Sequence, residues 1–215
     1  LEKKGKKRIL KSVKNLIPSN VKITSIRQEN ALGLGHAIRC AKHLINNEPF
    51  AVLLPDEILL EKNKSKDFTQ MLKLFEKRGK GQILVEKVSR KLVSNYGIVD
   101  IRRKSIKPSS SSSIYHLVEK PKGSLSPSNF RIVGRYILPY KIMSILAKIK
   151  KGKDGEMQLT DALDIYIKKN PEALEAFLSD SLIFDCGSVE GFLNANIAFA
   201  ARDRKMQKHL REFIY

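Results

Sequence analysis

The sequence predicts an α/β fold, and three observations carry that prediction. Helix-patterned stretches alternate with apolar, strand-like stretches through the first half of the chain. Several of the strand-like stretches are near-continuous apolar runs, as in a largely parallel sheet covered on both faces. Acidic residues follow two of those runs, at the sheet edge where α/β folds collect ligands. At 215 residues the chain has room for one domain with a sizeable core.

Each element follows from its own pattern. Ile9, Leu10, Val13, Leu16 and Ile17 fall on one face of an opening amphipathic helix, which Pro18 ends. "VKITSIRQ" (21–28) has a strand-like composition, and a glycine turn follows it. "GHAIRCAKHLI" then reads as a helix, "PFAVLLPDE" as an apolar strand, "FTQMLKLFEKRG" as a helix and "GQILVEKV" as a strand. From about residue 96 the rhythm shifts to short strands, "YGIVDIRR", "IYHLVEKP" and "FRIVGRYILP", which predict an antiparallel addition. The serine run Ser109 to Ser113 reads as a hairpin loop or flexible excursion. Helices return at "KIMSILAKI" and "LTDALDIYIKK", a strand pair is expected from "LEAFLSD" and "LIFDCG", and Ser188 is placed to cap a last helix. The sequence shows no internal repeat.

The formal charge of +19 raises nucleic acid, an acidic membrane surface or a phosphorylated small substrate as partners. Its distribution argues for solvated faces instead: lysines outnumber arginines 29 to 12 and are scattered, with few aromatic residues among them to stack on bases. Neither a nucleic acid nor a membrane is therefore expected as a partner. There is no run of eighteen apolar residues and no signal-peptide pattern, so a cytoplasmic location is expected. Cys40 and Cys186 are far apart, lack a C-x-x-C partner and read as buried filler in a reducing compartment. His36, His43, His116 and His209 show no metal-ligand spacing, and no serine sits in a nucleophile-elbow pattern.

Four stretches carry chemistry. Asp56 follows "AVLLP" at a strand end and is either a metal carboxylate, since Mg²⁺ takes one or two carboxylates plus substrate phosphates, or a helix N-cap or plain loop acid. "VEKP" closes a strand with Glu119 and Lys120, which project to opposite sides unless the strand end twists. "FDCGS" ends another strand with Asp185, so two strand-end aspartates are available to share one metal. "GLGHA" lacks the third glycine of the dinucleotide fingerprint and the Lys-Ser/Thr of a P-loop; it either seats a flat base or ribose or simply starts a helix.

Taken in order, "RQENALGLGHAIRCAK", "EPFAVLLPDE", "NYGIVD", "VEKP", "SNFRIVGRYIL", "GEMQLTDAL" and "FDCGSVEGFLNAN" resemble the bacterial UTP–glucose-1-phosphate uridylyltransferases. The resemblance implies a Rossmann-like nucleotidyltransferase fold with a mixed, mainly parallel sheet flanked by helices. It also implies transfer of a uridylyl group from UTP to glucose 1-phosphate, giving UDP-glucose and pyrophosphate, with Mg²⁺ as cofactor and a homo-oligomeric assembly. Thymidylyl transfer to glucose 1-phosphate, or a non-catalytic basic binding module, stand as alternatives.

By the same motif match, Gln28 and Gly33 are expected to receive the uracil, and Asp56 to hold the Mg²⁺. Glu119 is expected to accept from glucose hydroxyls, and Lys120 to meet the sugar phosphate. Gly97 and Gly134 are expected to leave room for the sugar, and Asp185 to supply a second metal carboxylate. Glu156, Gln158, Thr160 and Asp161 match a family segment near the sugar pocket or a subunit contact and receive no chemical role. Residues 1–95 correspond to the rest of a nucleotide-binding half, 96–187 to a sugar-binding half and 188–215 to a C-terminal helix.

The family's glycine-rich G-x-G-T-R loop and following P-x-T-K have no match in the sequence, which predicts an N-terminally incomplete domain. On that expectation a central strand is absent and the 215-residue chain is poorly stable, or pairs with another copy. Its turnover is then expected to fall by roughly a hundred- to a thousandfold, the usual effect of removing one charge-stabilising donor.

Overall fold

The computed structural model describes residues 7–62, 66–102, 105–152 and 155–214. The helices are α1 (Lys7–Lys14), α2 (Leu34–Cys40), α3 (Lys42–Ile45), α4 (Asp67–Arg78), α5 (Ile142–Leu146), α6 (Leu159–Lys169), α7 (Val189–Ala200) and α8 (Arg204–Ile214). The strands are β1 (Phe50–Leu53), β2 (Glu57–Leu60), β3 (Gly81–Lys87), β4 (Gly97–Ile101), β5 (Ser110–Glu119), β6 (Phe130–Leu138), β7 (Leu174–Leu178) and β8 (Leu182–Asp185).

Six strands form one mixed sheet in the order β1-β6-β3-β7-β5-β4, and β4 also pairs back onto the start of β6. The sheet is mixed, as the sequence predicts, but its balance is different. Among the described strands only β3 and β7 run parallel, and the other pairings are antiparallel. The apolar runs that suggested a mainly parallel sheet report burial on both faces, which a central strand such as β6 has whatever its direction.

Side-chain alternation along β3 and β6 divides the core in two. Ile83, Val85, Ile132, Tyr136 and Leu138 face the side covered by α2, α5 and α6. Leu84, Val133 and Ile137 face the opposite side, where Met71 of α4 and Phe177 complete the second cluster. Helix α4 stops at Gly79, whose left-handed backbone (φ 65°) closes the last turn, and α7 starts where Ser188 Oγ accepts from the Gly191 N–H at 3.0 Å.

Several local readings change. "VKITSIRQ" forms no strand, and Val21, Ile23 and Ile26 lie exposed without a neighbouring strand. The serines 110–113 are not a loop; they are the first half of β5 and pair with β7. "LEAFLSD" and "LIFDCG" do not pair with each other, because β7 enters the main sheet while β8 joins β2 in a separate two-stranded sheet. "PFAVLLPDE" is not one strand either, since the chain bends between β1 and β2. Cys40 and Cys186 are half-buried rather than buried. No helix among the described residues is long and apolar enough to cross a membrane.

Candidate active site

The site is assembled from the ends of strands in both sheets. Strand β1 runs beside the C-terminal half of β6, then bends through Leu54, Pro55 and Asp56 into β2. Leu54 N–H donates to the Gly134 carbonyl at 2.8 Å, and the Cys186 N–H donates to the Asp56 carbonyl at 2.7 Å. In the β2–β8 pairing Glu57 stands opposite Asp185, so Asp56 and Asp185 are brought to the same strand ends. A side chain at Gly187 would begin 3.0 Å from Asp185 Oδ1 and 3.6 Å from Asp56 Oδ2, which shows both carboxylates bordering the space that this glycine leaves open.

Beside this bend lies a cavity of about 180 Å³. Leu54 and Glu57 border it from one side, Asn95, Tyr96, Gly97 and Glu119 from another, and Leu34, Gln158, Leu159 and Thr160 from a third. Glu119, the last residue of β5, accepts from Thr160 Oγ1 at 2.7 Å. Burial raises the Glu119 carboxyl above its ordinary pKa; the Thr160 hydrogen bond and the Lys120 charge oppose that rise without cancelling it. A Cβ on Gly97 would sit 3.1 Å from Glu119 Oε2 and 3.1 Å from Thr160 Oγ1, so the missing side chain keeps this end of the cavity open. Gly134 also lines the cavity, but its missing side chain is used by Leu54, whose Cβ would lie 2.5 Å from an added methyl.

Lys120 leaves β5 in the left-handed backbone region (φ 42°), a conformation costing on the order of 1–3 kcal/mol for a residue with a side chain. The Lys120 side chain is exposed and, unlike Glu119, does not line the cavity. The residue's N–H donates to the Tyr96 carbonyl at 3.1 Å, which ties the Lys120 main chain to the cavity wall.

The glycine turn reaches the same cavity through Leu34. Gln28 Nε2 donates to the Gly33 carbonyl at 3.2 Å and lies 2.9 Å from His36 Nδ1, so Gln28 and Gly33 are held together. Gly33 has φ 90°, and a Cβ there would approach Glu156 Cβ to 2.9 Å. The reason is a short main-chain ladder: Met157 N–H donates to the Leu32 carbonyl at 2.7 Å, and Gly35 N–H donates to the Met157 carbonyl at 2.9 Å. The segment 156–160 therefore touches the glycine turn at one end and Glu119 at the other.

Sequence reasoning gave Thr160 no role and missed two arginines of β6. Arg131 is buried and holds the Glu57 carboxylate through Nη1 at 2.8 Å and Nη2 at 3.2 Å; it also contacts Glu86, and its guanidinium lies 4.5 Å from the centre of the Tyr96 ring. Burial raises the Glu57 carboxyl despite this pairing, and charge from Asp185 and Glu86 adds to the rise. Arg135 donates to the carbonyls of Leu54, Gly134 and Glu57. Nothing in the local sequence signals these partners; an arginine inside an apolar strand such as "FRIVGRYIL" is the one available hint, because a buried charge requires a partner.

Comparison with known proteins identifies the family. The nucleotidyl transferase family model matches residues 2–202. A protein of Haemophilus influenzae named UTP–glucose-1-phosphate uridylyltransferase is 39% identical over 217 residues, covering 100% of this chain and 73% of the relative. Among solved structures, a UTP-bound UDP-glucose pyrophosphorylase from Acinetobacter baumannii superposes with a TM-score of 0.87 at 36% identity, covering 100% of this chain and 72% of that one. A UDP-glucose pyrophosphorylase complexed with UDP-glucose gives a TM-score of 0.83 at 35% identity, over 93% of this chain and 74% of that one. A family match across nearly the whole length, with relatives of one name covering all of it, leads to one conclusion: the chain belongs to the nucleotidyl transferase family, among the UTP–glucose-1-phosphate uridylyltransferases.

Proposed function

We propose that this site binds UTP and glucose 1-phosphate and carries uridylyl transfer between them. A phosphate oxygen of glucose 1-phosphate attacks the α-phosphorus of UTP, the bond from that phosphorus to the β-phosphate oxygen breaks, and UDP-glucose and pyrophosphate leave. The step needs alignment and neutralisation of crowded negative charge rather than an enzyme-bound intermediate.

The observation that carries this reading is one cleft bordered by the glycine turn, the Asp56 bend and the Gly97–Glu119 corner. Gln28 and Gly33 receive the uracil: the positive-φ glycine sets the turn, its own open face being packed on Glu156 and Met157, and the glutamine amide, already anchored on the Gly33 carbonyl, has its oxygen for the base's polar edge. Glu119 accepts from glucose hydroxyls, oriented by Thr160, while Gly97 leaves space for the ring. Gly134 acts at one remove, by letting Leu54 close the wall. Lys120, fixed at the rim by its main chain, meets the phosphate of the incoming sugar. On this reading the nucleotide half is 1–95 and the sugar half 96–187.

Asp56 and Asp185 fit a divalent cation of the Mg²⁺ type. They offer hard oxygen donors on either side of a glycine, and no third His, Cys, Asp or Glu joins them in a cluster among the described residues. Two carboxylates with the remaining positions left to water and phosphate oxygens is the coordination Mg²⁺ commonly takes. When bound, such a cation neutralises charge on the reacting phosphates. The residues of this chain hold it, orient the two substrates and keep Asp56 and Asp185 together.

The test is a comparison of UTP with dTTP, each paired with glucose 1-phosphate, read by pyrophosphate release and by calorimetric binding of UDP-glucose. Turnover of UTP over dTTP together with saturable UDP-glucose binding supports the proposal. Equal or faster turnover of dTTP, or no binding of UDP-glucose, overturns it.

A further inference from the structure

Asp56 is exposed and sits in a bend of three residues between two short strands, a poor foundation for a carboxylate that must hold a cation in a fixed place. What steadies the bend comes from β6. Arg135 Nη1 donates to the Leu54 carbonyl at 2.6 Å and to the Gly134 carbonyl at 2.9 Å, and Nη2 donates to the Glu57 carbonyl at 2.6 Å. Leu54 and Glu57 lie immediately before and behind the Pro55–Asp56 pair, so a single planar guanidinium grips the main chain on both sides of Asp56. Four residues earlier on the same face of β6, Arg131 holds the Glu57 side chain, and Glu57 stands opposite Asp185 in the β2–β8 pairing.

Resting on the reading of Asp56 and Asp185 as cation ligands, we propose that Arg135 is a positioning residue of the cation site, its guanidinium fixing the Leu54–Glu57 bend so that the Asp56 carboxylate is held beside that of Asp185. The role requires arginine. A lysine keeps the charge but offers a single nitrogen, which cannot reach carbonyls on both sides of the bend with the geometry of a rigid fork. Groups that orient metal ligands in this way commonly change affinity by about 10- to 100-fold when removed.

The experiment measures Mn²⁺ binding directly, since Mn²⁺ accepts the same oxygen donors and its free fraction is read by electron paramagnetic resonance. Titrations are run on the otherwise unchanged protein, on Arg135→Met, on Arg135→Lys and on Asp56→Asn, with thermal melting of each. Arg135→Met is expected to weaken Mn²⁺ by about 10- to 100-fold and Arg135→Lys to recover only part of that loss, with a melting temperature close to the parent for the lysine variant. Mn²⁺ affinity unchanged in both arginine variants while Asp56→Asn abolishes it overturns the role of Arg135 and leaves the carboxylate reading standing. Affinity unchanged in Asp56→Asn overturns the carboxylate reading itself. Full recovery in Arg135→Lys overturns the proposal in favour of a simple charge effect.

Discussion

Glu119 and Asp56 are both carboxylates at strand ends, the first lining the cavity and the second between its lining residues Leu54 and Glu57, yet the fold surrounds them differently. Glu119 is half-buried, takes a hydrogen bond from Thr160 at 2.7 Å and has its carboxyl raised by desolvation. Asp56 is exposed, and the hydrogen bonds described around it go to its own carbonyl and to the main chain on either side of it. The difference matches what each end does on the proposed reading. A neutral sugar ring is recognised by donors and acceptors that are already in place and half-buried, whereas a cation that arrives with triphosphate needs open carboxylates on a rigid backbone.

The most severe way to break the comparison is Asp56→Asn. Because the side chain is exposed, the substitution should leave thermal stability within about 0.5 kcal/mol of the parent. It removes a charge from the cation site, and kcat/KM for UDP-glucose formation is expected to fall by roughly a hundred- to a thousandfold, with rate at high Mg²⁺ recovering only in part. A rate within threefold of the parent would show that the cation is held elsewhere.

How far the sequence revealed these two ends differs in the same way. Glu119, Asp56 and Asp185 are legible because each follows an apolar run, and position at a strand end is a local property. The groups that make the surroundings distinct are not local: Thr160 meets Glu119 across 41 residues, Arg135 meets Leu54 across 81, and Arg131 meets Glu57 across 74. The fold divides similarly. Buried runs such as "GQILVEKV" and "FRIVGRYILP" are strands as read, since continuous burial writes itself into composition. Partner and direction do not, which is why the mainly parallel sheet and the pairing of "LEAFLSD" with "LIFDCG" were misplaced. The serines 110–113 look like a loop in isolation; they are a strand because β7 offers its edge and Glu175 accepts from Ser111 Oγ at 2.8 Å.

A smaller effect sharpens the sugar end. Thr160→Val keeps the volume and removes the hydroxyl, leaving the half-buried Glu119 carboxylate without its donor, a loss of ~1–3 kcal/mol. The KM for glucose 1-phosphate is expected to rise by roughly 5- to 100-fold, with the KM for UTP little changed. An equal rise in both constants would mean that the 156–160 segment, which is bonded to the glycine turn through Met157, transmits the disturbance from one subsite to the other.

The smallest expected effect concerns pH. Burial holds the Glu119 carboxyl above its ordinary value of 4.5, so it takes up a proton earlier as the solution is acidified. A protonated Glu119 loses one acceptor for sugar hydroxyls, and the affinity for glucose 1-phosphate is expected to decline on an acid limb lying above pH 4.5. For stability the sign is the reverse of a salt-bridged acid. A raised native pKa favours folding most below the unfolded value, and that contribution disappears as pH rises through the native value, so at neutral pH the ionised Glu119 opposes folding. Glu119→Gln should therefore melt slightly higher than the parent at neutral pH while binding the sugar phosphate more weakly and losing the acid limb. If the glutamine variant instead melted lower at neutral pH and kept the limb, the raised carboxyl would not be Glu119, and the contrast between a half-buried sugar corner and an open cation bend would lose its electrostatic half.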